Sequence, residues 1–131
     1  RAKAGVDVRV LVPNDLNDNG SVYYASRDSY EELLSGGVKL FEYQPTFNHS
    51  KSIVIDGSWS IIGSANMDNR SRKLNEEVIF GVLDKTFGSV LEKTFLDDLT
   101  QAKHINLVDW KNRGVWERVR EKFDRNFVEQ Y

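Results

Sequence analysis

The sequence contains no cysteine and has only two prolines and two histidines among its 131 residues. The absence of cysteine excludes disulfides, thiol catalysis and thiolate-bound metals, and it suits a reducing compartment. Two histidines are too few for a multi-histidine metal centre. No apolar run reaches the roughly 18–20 residues that span a bilayer, and no signal peptide opens the chain. These absences indicate an ordinary globular protein, long enough to bury a core without disulfides or a structural metal.

Charges of the two signs nearly balance, with 18 Lys and Arg against 20 Asp and Glu and a formal net charge of −2. The chain therefore lacks the basic field that would make nucleic acid its default partner. Its 40% hydrophobic and 29% charged residues are typical of a globular domain. We expect one domain over residues 1–131. Because the sequence opens at Arg1 without a methionine, we also expect it to be a piece of a longer protein.

Alternation and turn residues in the first third predict a strand, a helix and a second strand. Alternating valines indicate a strand over residues 6–12, and the Asn- and Asp-rich stretch 14–20 indicates a loop. A short helix with Ser26 as its N-cap and a stop at Gly36 leads to a second strand over 38–43. This spacing predicts a parallel βαβ unit.

The rest of the chain is predicted to add three strands and two helices, which makes the fold class α/β. The strands are predicted over 50–55, 59–62 and 77–83. Asp56-Gly57 is a strong signal for a two-residue hairpin turn between the first two. Apolar residues at helical spacing predict helices over 84–103 and 115–127.

The predicted hairpin brings together side chains of the kinds that bind substrates and catalyse reactions. His49 and Lys51 are two residues apart on a strand, so both point to one face. A two-residue turn pairs Lys51 with Ile62 and His49 with Ser64. Imidazole, ammonium and hydroxyl would then meet on one face, with Asn66 just beyond.

These groups suit an anionic phosphate. Lys51 supplies a compact positive charge, while Ser64 and Asn66 can donate hydrogen bonds to phosphoryl oxygens. His49 can be a nucleophile at phosphorus or a general acid and base near neutral pH. Gly63 would let a substrate or another backbone approach closely.

The pattern His49-x-Lys51-x4-Asp56-x6-Gly63-Ser64-x-Asn66 resembles the HKD motif of the phospholipase D superfamily, with every signature position filled. The stretch 66–71 (Asn-Met-Asp-Asn-Arg-Ser) and Asn75-Glu76-Glu77 look like segments of bacterial cardiolipin synthases. The likeness extends over nearly the whole chain. It is greatest to the C-terminal HKD half of those two-motif enzymes.

The resemblance implies a phospholipase-D-like mixed β-sheet flanked by helices. It also implies the C-terminal catalytic half of a cardiolipin-synthase-type phosphatidyltransferase, acting through a phosphohistidine without a metal or other cofactor. His49 would be the catalytic histidine, serving as general acid and then base because the first-half histidine is usually the nucleophile. Lys51, Ser64 and Asn66 would bind the phosphate.

Two further motif residues take supporting roles by the same resemblance. Glu77 would accept a hydrogen bond from the other ring nitrogen of His49 and fix its tautomer. Asp56 belongs to the catalytic motif but is chiefly structural, tying down the hairpin turn.

The sequence holds one HKD motif, because His104 lacks a lysine two positions later. The second half would come from a removed N-terminal segment or from a second copy of the chain. The resemblance also implies a phospholipid substrate and a full-length protein at the bacterial cell membrane, of which this fragment would be soluble. Alternatives are a general phospholipase D hydrolase, a homodimeric single-motif phosphodiesterase or nuclease, and an inert scaffold.

Overall fold

The computed structural model describes residues 1–16, 20–66 and 75–114, together with Trp116 and Val119. The chain forms two compact units, Arg1–Asn48 with Gln101–Tyr131 and His49–Thr100. Two such units can belong to one domain, so the single domain expected over residues 1–131 stays a prediction.

The described elements, in chain order, are a 3₁₀ turn at Ala2–Ala4, β1 (Arg9–Val12), α1 (Gly20–Arg27), α2 (Tyr30–Ser35), β2 (Lys39–Tyr43), β3 (Ser52–Ile55), β4 (Trp59–Gly63), β5 (Ile79–Leu83), α3 (Lys85–Leu99), β6 (Ala102–Ile105) and α4 (Leu107–Lys111). The α/β class is confirmed. The described strands form two sheets of three rather than one.

The first unit contains a mixed sheet in the order β1-β2-β6. Strands β1 and β2 are parallel and β6 pairs with β2 antiparallel, so the predicted parallel βαβ unit is confirmed. The buried apolar side chains that form its core are Tyr30, Leu40, Ile105 and Trp110. This core joins the sheet to the short helices α2 and α4.

The second unit, which carries the motif, is an antiparallel sheet in the order β3-β4-β5 with α3 against it. Helix α3 begins after Asp84, whose side chain accepts a 2.7 Å hydrogen bond from the Phe87 backbone N–H. This N-cap satisfies a donor that the first turn leaves unpaired. The helix therefore starts directly after β5 and runs back over the sheet.

The predicted N-cap at Ser26 is wrong. Ser26 lies inside α1, a helix that the sequence did not predict, and its hydroxyl donates to the Tyr23 carbonyl at 2.8 Å. Ser29 immediately precedes α2 instead. Tyrosines and valine occupy α1 where good helix formers would be expected, so local propensity gave no signal for it.

The helix predicted over 84–103 is shorter than expected. It ends at Leu99, and residues 102–105 form β6 against β2. A tertiary pairing with a distant strand decides the state of this segment, which sequence periodicity does not reveal. Of the last predicted helix, Trp116 and Val119 are helical; Val115, Phe123 and Phe127 lie outside the described residues.

The predicted polar loop after β1 is partly described. Asn14 is buried, and its side-chain oxygen accepts from the Leu16 N–H at 3.0 Å, as in an Asx turn. Its amide nitrogen donates to the Gln44 carbonyl at 3.1 Å. Residues 17–19 of the loop lie outside the described part of the chain.

Candidate active site

The Asp56-Gly57 turn forms as predicted. Asp56 and Gly57 have φ angles of 50° and 57°, both in the left-handed region that a type I′ turn requires. The Ser58 N–H donates to the Ile55 carbonyl at 3.1 Å and closes the turn. Glycine at the second position adopts this conformation without the strain that a Cβ would bring.

The register of the β3–β4 ladder differs by one residue from the predicted register. Ile55 pairs with Trp59 rather than with Ser58, and Ser52 pairs with Ile62. Lys51 therefore lies opposite Gly63, whose N–H donates to the Lys51 carbonyl at 3.1 Å. The pairings predicted for Lys51 with Ile62 and for His49 with Ser64 are wrong.

A contact from outside the hairpin accounts for the shift. The backbone N–H of Asp84, just before α3, donates to the Ser58 carbonyl at 3.0 Å. Ser58 is thus bonded to the start of α3, and the ladder resumes at Trp59. The turn type follows from two adjacent residues, whereas the register depends on a residue 26 positions later.

The two motif residues His49 and Lys51 lie just before β3 rather than within it. The His49 side chain is exposed and that of Lys51 is half-buried. The Lys51 ammonium donates to the His49 backbone carbonyl at 2.9 Å. This bond holds the lysine side chain beside the backbone of the histidine.

Gly63 is needed for a close approach between backbones. A Cβ at this position would stand 2.3 Å from the Val78 carbonyl oxygen and 3.0 Å from the Ile79 Cα. The sequence left open whether a substrate or another backbone lies against Gly63, and the structure places backbone there. The Ser64 N–H then donates to the Val78 carbonyl at 3.0 Å and extends the β4–β5 pairing by one residue.

Ser64 and Glu77 are brought into direct contact across this extension. The Ser64 hydroxyl donates to Glu77 Oε2 and accepts a 3.1 Å hydrogen bond from the Val78 N–H. Asn75 Nδ2 donates to the other carboxylate oxygen, Oε1, at 3.3 Å. The Glu77 side chain is half-buried, and each of its oxygens has a hydrogen-bond donor.

All seven predicted site residues belong to the second unit, which spans His49–Thr100. Asn66 and the turn residue Asp56 are exposed. The structure joins Ser64 to Glu77, and Lys51 to the backbone of His49. Asn75 is the residue to which the sequence assigned no role of its own, although it stands in the Asn75-Glu76-Glu77 segment. The structure places its side-chain amide on the Glu77 carboxylate.

The described residues contain neither a metal-binding cluster nor a membrane-spanning helix. In the ranges 1–16, 20–66 and 75–114, no group of three His, Asp or Glu side chains could hold a metal ion. Over the same ranges, no helix combines the length and the apolar character that crossing a membrane requires.

Comparison with known proteins identifies the family. The sequence model described as "Cardiolipin synthase, PLD-like domain" matches residues 1–99, which include every candidate site residue. The chain belongs to this family. The phospholipase-D-like resemblance found in the sequence is therefore confirmed.

Curated relatives agree with this assignment. Cardiolipin synthase A of Pectobacterium carotovorum is 38% identical over 121 residues, which cover 92% of this chain and 25% of that protein. The probable cardiolipin synthase YwiE of Bacillus subtilis is 40% identical over 126 residues, covering 96% and 25%. The chain thus spans about a quarter of the length of these relatives.

A solved structure confirms the fold. The phospholipase D family member Nuc from Salmonella typhimurium superposes with a TM-score of 0.69 at 20% sequence identity, over 79% of this chain and 67% of that one. At this identity the likeness concerns the fold alone. The chain thus combines a phospholipase-D-like fold with a sequence of the cardiolipin synthase family.

Proposed function

We propose that this chain is the C-terminal catalytic half of a phosphatidyltransferase of the cardiolipin synthase type. The observation that carries the proposal is the complete motif, from His49 to Glu77, within the stretch that matches the family. The reaction moves a phosphatidyl group from one phospholipid to a hydroxyl of another. We expect the complete protein to act at the bacterial cell membrane, because its substrates lie there.

The proposed chemistry has two steps, each a displacement at phosphorus. In the first, a histidine nitrogen bonds to phosphorus and the P–O bond to the leaving alcohol breaks, while that oxygen takes a proton from a general acid. In the second, the acceptor hydroxyl gives its proton to the same group, now a base. Its oxygen bonds to phosphorus and the P–N bond breaks.

The roles proposed for this chain follow from its side chains. His49 is the general acid and base, and the nucleophilic histidine comes from a second HKD half. Lys51 and Asn66 hold the phosphoryl oxygens, and Ser64 completes the wall of that pocket. Glu77 accepts from His49 and fixes its tautomer. Proton transfer and phosphohistidine formation need no metal in this scheme.

A lipid-transfer assay tests the proposal. The protein is the whole gene product containing this sequence, mixed with vesicles of phosphatidylglycerol, whose glycerol hydroxyl can accept the transferred group. Mass spectrometry should detect cardiolipin and free glycerol in equal amounts. EDTA should leave the rate unchanged, and strong inhibition by EDTA would refute the metal-independent scheme.

His49→Ala should abolish nearly all transfer, and His104→Ala is its matched control. His104 is the only other histidine, lies exposed on β6 and stacks on Phe41 at 4.8 Å between ring centroids. Its variant should keep full activity. Phosphatidic acid as the main product would instead identify a hydrolase, and cleavage of DNA would identify a nuclease.

Light scattering of the 131-residue chain across a dilution series tests where the second half comes from. A monomer of 15.1 kDa without activity supports a second half encoded elsewhere in the gene. A tight, active dimer would place two copies of His49 in one site.

A further inference from the structure

The Glu77 carboxylate is held from both sides by neutral donors. The Ser64 hydroxyl donates to Oε2 and the Asn75 side-chain amide donates to Oε1. The three residues are close because the β4–β5 pairing continues past Gly63, with the Ser64 N–H bonded to the Val78 carbonyl. The carboxylate is therefore fixed by the sheet and by its own chain segment.

The Ser64 hydroxyl has one proton, and that proton points to Glu77. A bond from a hydroxyl to a carboxylate is charge-assisted and stronger than a bond between neutral groups. A lone pair of the same oxygen accepts from the Val78 N–H at 3.1 Å. In this arrangement Ser64 has no proton to give to a phosphoryl oxygen.

The two donors fall on different oxygens of the Glu77 carboxylate. An ionised carboxylate offers about four acceptor positions, and Ser64 and Asn75 each occupy one, on opposite oxygens. With one donor on each oxygen, rotation of the carboxylate about its Cγ–Cδ bond would break both bonds. The orientation of the Glu77 carboxylate is therefore fixed before an imidazole N–H donates to it, as a precisely positioned site requires.

We propose that Ser64 and Asn75 are positioning residues that orient Glu77, and that Ser64 does not donate to the substrate phosphate. The proposal rests on the proposed function, in which Glu77 orients His49. It assigns Ser64 a different role from that of Asn66, although both follow Gly63 within three residues.

Kinetics of four variants of the whole gene product separate the two roles. Ser64→Ala and Asn75→Ala should each lower kcat about tenfold, the scale of one charge-assisted hydrogen bond, with KM changed less than about twofold. Both should move the acidic limb of the pH–rate profile to higher pH, because a carboxylate that loses a donor accepts a proton more readily. Ser64→Thr keeps the hydroxyl and should restore the profile.

Asn66→Ala is the contrasting variant. It should raise KM and weaken the affinity for inorganic phosphate, measured by calorimetry, while leaving the acidic limb in place. If Ser64→Ala behaves like Asn66→Ala, with weakened phosphate affinity and an unmoved pH profile, Ser64 is a phosphate donor and the positioning role is wrong.

An NMR experiment on the 131-residue chain keeps this test independent of activity. The Asn75 side-chain amide signals should shift as the Glu77 carboxyl titrates, and Glu77→Gln should remove that shift. Amide signals that do not respond to Glu77→Gln would overturn the positioning role even in an active enzyme. A responsive amide in a protein without lipid transfer would retain the network and reject the proposed function.

Discussion

Gly88 of α3 packs directly against Gly57, the second residue of the Asp56-Gly57 hairpin turn. A Cβ added at position 88 would stand 2.5 Å from the Gly57 carbonyl oxygen and 2.8 Å from the Ser58 nitrogen. Real Cβ atoms do not come this close to backbone, so helix α3 can contact the turn only where it has no side chain. Sequence alone gives Gly88 no role other than a weak point in a helix.

Gly88→Ala should destabilise the protein despite alanine's higher helix propensity. Propensity alone would favour alanine by about 1 kcal/mol, whereas overpacking against rigid backbone costs about 1–3 kcal/mol. We expect a lower urea midpoint at an unchanged m-value. The neighbouring exposed Ser89, replaced by alanine, is the control and should leave the midpoint unchanged or raise it slightly. A stabilised Gly88→Ala protein would show that the helix does not pack here.

The parts of this fold that sequence predicts depend on neighbouring residues. Alternating valines indicated β1, and Asp56-Gly57 fixed the turn, because each signal lies within a few positions. The parallel pairing of β1 with β2 followed from the helical connection between them, because parallel strands need such a crossover. Local chemistry was sufficient for these elements.

The parts that sequence missed depend on distant partners. The hairpin register shifted because Asp84, after β5, bonds to Ser58. Strand β6 exists because β2 pairs with it, and the Ser64–Glu77 contact joins residues 13 positions apart. The candidate residues of the site were found from their spacing, but their hydrogen-bond partners were not.

The Glu42 carboxyl should make the free energy of unfolding depend on pH in a defined direction. Glu42 is 5% exposed and pairs with Arg27 at 3.1 Å. Burial raises the pKa of the Glu42 carboxyl above its usual value, and the Arg27 guanidinium opposes this rise only in part. Between the ordinary glutamate pKa and the raised one, the folded state holds more protons than the unfolded state.

The unfolding free energy contributed by Glu42 should therefore fall as pH rises through that interval. In Glu42→Gln this fall should be absent, so the wild-type and variant curves of unfolding free energy against pH are not parallel. Arg27→Met removes the opposing cation and should extend the fall to higher pH. Urea unfolding at half-unit pH steps checks this, and parallel curves would contradict it.

The Asp7 carboxyl should make the free energy of unfolding change with pH in the direction opposite to that of Glu42. Hydrogen bonds from Arg9 and then Lys39 lower the pKa of the Asp7 carboxyl to about 2. Its stabilising contribution is present above the ordinary aspartate pKa and is lost as pH falls toward about 2. The stability gap between wild type and Asp7→Asn should close at that pH. It should also shrink in 1 M salt, because the Arg9–Asp7 pair is exposed and such pairs are screened. A gap that is independent of both pH and salt would indicate a role other than charge pairing.

Gly63→Ala should damage stability and the candidate site together. The added Cβ would stand 2.3 Å from the Val78 carbonyl oxygen, so β4 and β5 must separate at the point where Ser64 meets Glu77. Overpacking of this kind costs about 1–3 kcal/mol, and the displaced Glu77 contact should lower lipid transfer as well.

Gly114→Ala is the matched control, since a Cβ there meets nothing within 4 Å and its effect should stay within about 0.5 kcal/mol. Urea unfolding and the transfer assay on both variants check the prediction. A Gly63→Ala protein with normal stability and normal transfer would show that close β4–β5 contact is not what this glycine provides.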